Sequence, residues 1–353
     1  MNGSLNEFAN NVSLNPTFAD VENELFAVPT LERAEFVSRT RDSLGRTAVG
    51  IAALKNNKEI LVLLLSSVEE HEIYDLIKED AVHFAAAKGN SEIMKYMLSS
   101  VSSEQVRELL KRKDSATLTP FHLAVEHDHK ETVECMINSL PKDMRYEVLR
   151  VKTGSHSTAI TFAAMKNAAE IMKCFLRSVK EEEIAPLLSV PSGDGCLALD
   201  FAVMYRCAET VKCMLQWMSK EHLYRVLKTK RDKGNPTLHY AASRGCPVTL
   251  KYLLEALEET QRYELIMMEG RQEATVIHRA ARSGHTKALM RILDLMSWDD
   301  QKQLLEVRDS NNQTALDILL QKNSANDYLI IQQWMRKAEA RWRRLEGMYC
   351  SCK

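Results

Sequence analysis

"LTPFHLAVEHDHKETVECMI" (118–137) decides how the rest of the chain is read. It opens on Thr119-Pro120-Phe121-His122, and His122 has counterparts at His83, His239 and His278, separated by 39 residues or a multiple of 39. A fixed interval of that size is the mark of one supersecondary unit used repeatedly. In this frame Gly50, His83, His122, Thr161, Asp200, His239, His278 and Asp317 form one column; six of the seven steps are 39 and the first is 33.

Neighbouring columns say what the unit is made of. Two and three places later come small pairs such as Ala85-Ala86, Ala163-Ala164 and Ala241-Ala242, ending in Leu319-Leu320. Fourteen places after the first column stand Leu64, Met97, Met136, Phe175, Met214, Leu253, Ile292 and Ile331. Small residues let helices approach closely, and large ones fill the space beside them. Stacked unit on unit, such helix pairs bury a continuous core that no single pair buries alone. The pattern predicts an all-α repeat solenoid of about eight helix-turn-helix units, with turn or hairpin loops between units.

Thr119-Pro120-Phe121-His122 followed by Ala124 resembles the T-P-L-H-x-A-A signature of ankyrin repeats, and "NPTLHYAASRGCPVTLKYLL" (235–254) is similar to the same consensus. Thr caps a helix, Pro suits its first turn, and Gly or Asn ends it. Ankyrin units normally have 33 residues; here the extra length follows the second helix, as in "SSEQVRELLKRKD" (102–114). Two apolar columns cross that insert, one from Leu109 to Leu304 and one from Leu110 to Leu305, and Ser102 with Gln105 has the spacing of a capping box. A short third helix per unit follows. Leu76-Ile77 keep this phase in the first unit, so the six missing residues fall after its third helix, and the turn at 78–82 is expected to be truncated.

Boundaries are expected at 1–28 (flexible acidic tail), 29–41 (N-terminal capping helix), 42–332 (repeats) and 333–353 (basic C-terminal capping helix and tail). The N-terminal residues show no basic segment leading into an apolar core, and no apolar run reaches bilayer length. A formal net charge of −1 offers no bulk attraction to nucleic acid. Cys135, Cys174 and Cys213 share one repeat position and read as small buried hydrophobes in a cytoplasmic protein, neither disulfide halves nor metal ligands. No phosphate-loop, nucleophile-elbow or zinc-helix motif occurs, so no enzyme, cofactor or metal site is expected.

The resemblance implies a protein-binding surface on the concave face, built from first helices and turns. Units four and five place Phe162, Met165, Lys166, Phe201, Met204 and Tyr205 there, and units six and seven add Tyr240, Arg244, Arg279 and Arg282. Aromatic and Met anchors beside Arg suit a hot spot for an apolar-then-acidic protein segment. Met204, Tyr205 and Arg244 are expected to be exposed; Phe162 and Phe201 are expected to be at least partly buried. The whole is read as a monomeric scaffold or adaptor. At the C-terminal end, Ile331-Gln332 with Arg336 and Arg341 resembles the calmodulin-binding IQ motif, although Ile331 also belongs to the buried ladder. Membrane contact is expected only through the basic tail with Cys350 and Cys352.

Overall fold

The computed structural model describes residues 18–231, 234–322, 329–337 and 339–340. It is helical throughout, with no strand among the described residues and one isolated bridge between Arg41 and Thr47. The repeats are helix triplets. Unit three is Pro120–Glu126, Lys130–Asn138 and Lys142–Leu149; unit six is Thr237–Ser243, Pro247–Glu255 and Glu259–Met267. Unit eight contributes Ala315–Gln321 followed by helical residues 329–337. The chain divides into two compact bodies, Met1–Ser192 with units one to four and Gly193–Lys353 with units five to eight.

Burial follows the columns. Every member of the ladder from Leu64 to Ile331 is fully buried, as are the small pairs of units two to seven. The third helices bury both of their columns, and Ser102 and Gln105 form the expected reciprocal cap. Leu320 departs from its column at 47% exposed, because no further first helix stacks on unit eight among the described residues. Cys135 and Cys174 also depart from the reading as buried residues: both are half-buried, and the Cys174 thiol donates to Glu134 (3.3 Å). Burial together with that carboxylate pushes the Cys174 pKa up to about 11, which leaves it an unreactive thiol.

The first column sits at the third residue of each first helix, and its four histidines and Asp200 staple one unit to the next. His122 Nδ1 accepts from Thr119 N–H (3.3 Å) while Nε2 reaches Ser157 O (3.1 Å) in the next turn. Since an amide can only donate and a carbonyl only accept, the ring is held as the neutral Nε2–H tautomer. His278 repeats both bonds, with Thr275 N and with Val307 and Gln313 carbonyls. His239 makes the forward bond to Ala274 O (2.9 Å), but its cap residue is Pro236, which has no N–H, so Nδ1 is left without a partner. Burial lowers the pKa of all four column histidines, to about 4 for His122 and for His239.

The 33-residue step behaves as expected. The third helix of unit one, Glu70–Ile77, is separated by three residues from Ala81–Lys88, so no projecting turn forms. Asp80 occupies the gap, and its carboxylate accepts from Thr47 N (3.0 Å) and Thr47 Oγ1 (2.6 Å). The column residue here is Gly50, and a Cβ at that position would lie 2.3–2.6 Å from the Asp80 carboxylate. A neighbouring unit's acid thus fills the space where other units carry a side chain of their own. Gly50→Ala is expected to break both Asp80 bonds and destabilise the first body by about 1–3 kcal/mol in chemical denaturation. A neutral outcome would mean that Asp80 swings aside at no cost.

The first helices of units one to seven each end at a residue with positive φ: Asn56, Gly89, Asp128, Asn167, Arg206, Gly245 and Gly284. Six of these are residue types that tolerate the left-handed region; Arg206 (φ 64°) is not. Arg206→Gly is expected to stabilise the second body by about 1 kcal/mol, read as a higher Tm.

Two terminal features differ from or extend the expectation. The acidic tail expected over 1–28 is a helix from Phe18 to Phe26, with Val21 and Leu25 buried one turn apart against Lys58–Ser66. Two apolar side chains on one edge suffice to dock an otherwise acidic helix. Residues 1–17 lie outside the described residues. The next helix, Thr30–Arg39, packs on Glu70–Ile77.

Candidate functional site

In the first body, the first helix of unit four (Ala159–Met165) is capped by Thr158. Its Phe162 is half-buried and sets its ring edge-on to His122, with centroids 5.0 Å apart. The histidine staple therefore fixes the aromatic as well as the turn. Met165 is half-buried and Lys166, at the end of the helix, is exposed. These three positions form one short face.

In the second body, Phe201 and Met204 on Ala198–Met204 are half-buried, and Tyr205 is 55% exposed. Arg244, at the matching position of unit six, is exposed as well. Tyr240 is half-buried and hydrogen-bonded to Asn235, and burial raises its phenol pKa. Of the expected surface cations, two are engaged by the fold. Arg279 donates to Asn235 Oδ1 (3.0 Å) and Arg271 O (3.2 Å), and Arg282 pairs with Asp309 while donating to Gln272 (2.6 Å). Their guanidinium groups stiffen the inter-unit turns, so Arg244 is the fully presented arginine of the three.

The C-terminal motif is divided by burial. Ile331 is fully buried and Trp334 Nε1 donates to Asp294 (3.1 Å), while Arg336 is exposed. Gln332 is half-buried with a polar interaction of its own. Arg341, Cys350 and Cys352 lie outside the described residues. Among the described residues no group of three or more His, Cys, Asp or Glu is placed to hold a metal.

One interaction was missed by reading columns singly. Asp200 is buried and paired with Arg231 (2.8 Å), which stands 31 residues later. The same offset joins His83 to Asp114 and His278 to Asp309. Unit five thus exchanges the signs, acid where units two and seven have His and base where they have Asp. Two columns read together carry that signal.

A family model described as ankyrin repeats, in three copies, matches residues 49–147 and 83–174. The chain has the ankyrin-repeat fold. Among solved structures, the ankyrin repeat domain of Bcl-3, described as a unique member of the IkappaB protein family, is similar with a TM-score of 0.51 and 18% identity. That similarity covers 67% of this chain and 92% of the Bcl-3 chain, and at such identity it speaks to the fold. No curated protein matches the sequence. Ankyrin repeats are in general modules for protein–protein interaction, and this chain adds a third helix to each of units one to seven.

Proposed function

We propose that this chain is a non-catalytic cytoplasmic scaffold or adaptor, monomeric, that holds protein partners on its first-helix face. The observation that carries the reading is Tyr205, a large aromatic left 55% exposed beside Met204, with Arg244 exposed on the next stacked unit. Tyrosine and arginine are enriched at protein-binding hot spots, and here the two side chains are presented side by side. Phe162, Met165 and Lys166 offer a similar combination in the first body. Among the described residues no helix is long and apolar enough to cross a membrane.

Affinity capture from cytosol tests this reading, comparing wild type with Met204→Ser/Tyr205→Ser/Arg244→Glu and with a chain ending at Arg336. Circular dichroism of all three proteins checks folding. The expected result is loss of a partner from the triple variant alone. Loss from the shortened chain alone would move binding to the C-terminal helix and restore the calmodulin or membrane alternatives. The complete burial of Ile331 weighs against calmodulin, since that residue would have to leave the core to be bound.

A further inference from the structure

The loops between first and second helices break the fold's own rules at three places, all in the second body. The helix-ending position is Gly, Asn or Asp in six units, yet unit five has Arg206 in a left-handed conformation. The second residue of the second helix is Glu59, Glu92, Glu131, Glu170 and Glu209 in units one to five, where an acid suits the helix dipole. Units six and seven have Val248, 50% exposed, and Lys287, a cation at the unfavourable end. Local violations with no compensating gain in folding are where function is to be sought.

Charge follows the same break. In the four loops of the first body acids and bases balance, whereas in 205–209, 244–248 and 283–287 the exposed Arg206, Arg244 and Lys287 face Glu209 alone. The Arg206 side chain reaches Cys246 of the next loop, which keeps its charge along the row, and the second helices of units five, six and seven stack in order. Arg282 and its partner Asp309 neutralise one another and add nothing to the row.

We infer that these three loops form a docking strip for an extended acidic peptide segment, one that carries an acidic side chain at every third position with apolar ones between. This deepens the scaffold reading and rests on it. Stacked helices stand about 8–10 Å apart, and a chain extended as polyproline II has three residues per turn and rises about 3.1 Å per residue, so acids three residues apart share one face and meet successive cations. Val248 and Tyr205 supply the apolar contacts between them. A strip of three cations bordered by Glu209 is too short and too mixed for a nucleic-acid backbone or a lipid surface.

Fluorescence anisotropy tests the inference on the full chain, with a peptide repeating Glu-Leu-Ser and its Lys-Leu-Ser counterpart as probes. The acidic probe is expected to bind, more weakly as salt rises, and Lys287→Glu or Arg244→Glu to weaken it about tenfold. Lys302→Glu, on the third helix of unit seven, is expected to leave binding unchanged. Arg206→Gly separates the role from folding: binding weakens while Tm rises. Equal binding of both probes, equal loss from Lys302→Glu, or a preference for anionic vesicles or single-stranded DNA overturns the proposal. A captured partner lost from the Tyr205 variant but kept by Lys287→Glu also overturns it, leaving the scaffold reading intact. A capture that yields no partner at all sinks the scaffold reading itself.

Discussion

Arg231→Met is expected to destabilise the second body by about 3–5 kcal/mol, the cost of stranding a buried charge. Asp200 is fully inaccessible, and its carboxylate accepts from Leu197 N–H (2.8 Å), Thr237 Oγ1 (2.5 Å) and Arg231 Nε (2.8 Å). Removing the guanidinium leaves two neutral donors to hold a full negative charge away from water. It also removes the bond from Arg231 Nη2 to Val226 O (3.2 Å), which ties the end of the third helix of unit five to the turn. Adding Asp200→Asn to Arg231→Met removes the charge problem and is expected to recover a large part of the loss. Urea denaturation of the wild type, both single variants and the double variant measures the coupling. A single Arg231→Met variant within about 0.5 kcal/mol of wild type would show that the pair contributes nothing.

Acid should weaken both bodies over a window set by the histidine staples. His122 and His239 titrate at about 4 when folded and at about 6.5 when unfolded, because burial opposes the charged ring. Between these values the unfolded chain binds a proton that the folded chain does not. Stability is therefore complete above about pH 6.5, falls as pH drops toward 4, and loses no more from these rings below that. Each ring accounts for about 3 kcal/mol across the window, and His83 and His278 shift in the same direction. A proton on His122 would also turn Nδ1 from acceptor to donor, setting it against the Thr119 amide. In the first body Asp80 acts oppositely, since burial raises its pKa, whereas the depressed carboxyls of Asp42 and Asp309 lose their contribution at still lower pH. His122→Asn isolates the ring: its stability should be lower at neutral pH and flatter between pH 6.5 and 4. An unchanged slope in that variant would refute the assignment.

Much of this architecture is legible in the chain because helical repeats are local objects. The ladder from Leu64 to Ile331 is buried without exception, since one residue per turn of a fixed period returns to the same side of the stack. The short first step at Asp80 is legible for the same reason: six absent residues leave the third helix in phase and remove only the turn. The candidate face was harder to read. Tyr205 and Arg244 are exposed as expected, yet Arg279 and Arg282 are drawn into turns by Asn235 and Asp309, partners 44 and 27 residues away.

Sequence by itself determined the repeat length, the helix pair with its added third helix, and which columns form the core. Those follow from periodicity and from caps that act within four residues. Only the tertiary structure decided which charged side chains face solvent and which serve as staples. Asp80 in the space over Gly50, Arg231 on Asp200, and Val21 with Leu25 against the second helix of unit one all depend on what a neighbouring unit brings within hydrogen-bond or packing distance. A side chain's own position sets its direction, but its partner is set by stacking, and stacking distance is written nowhere in a single unit.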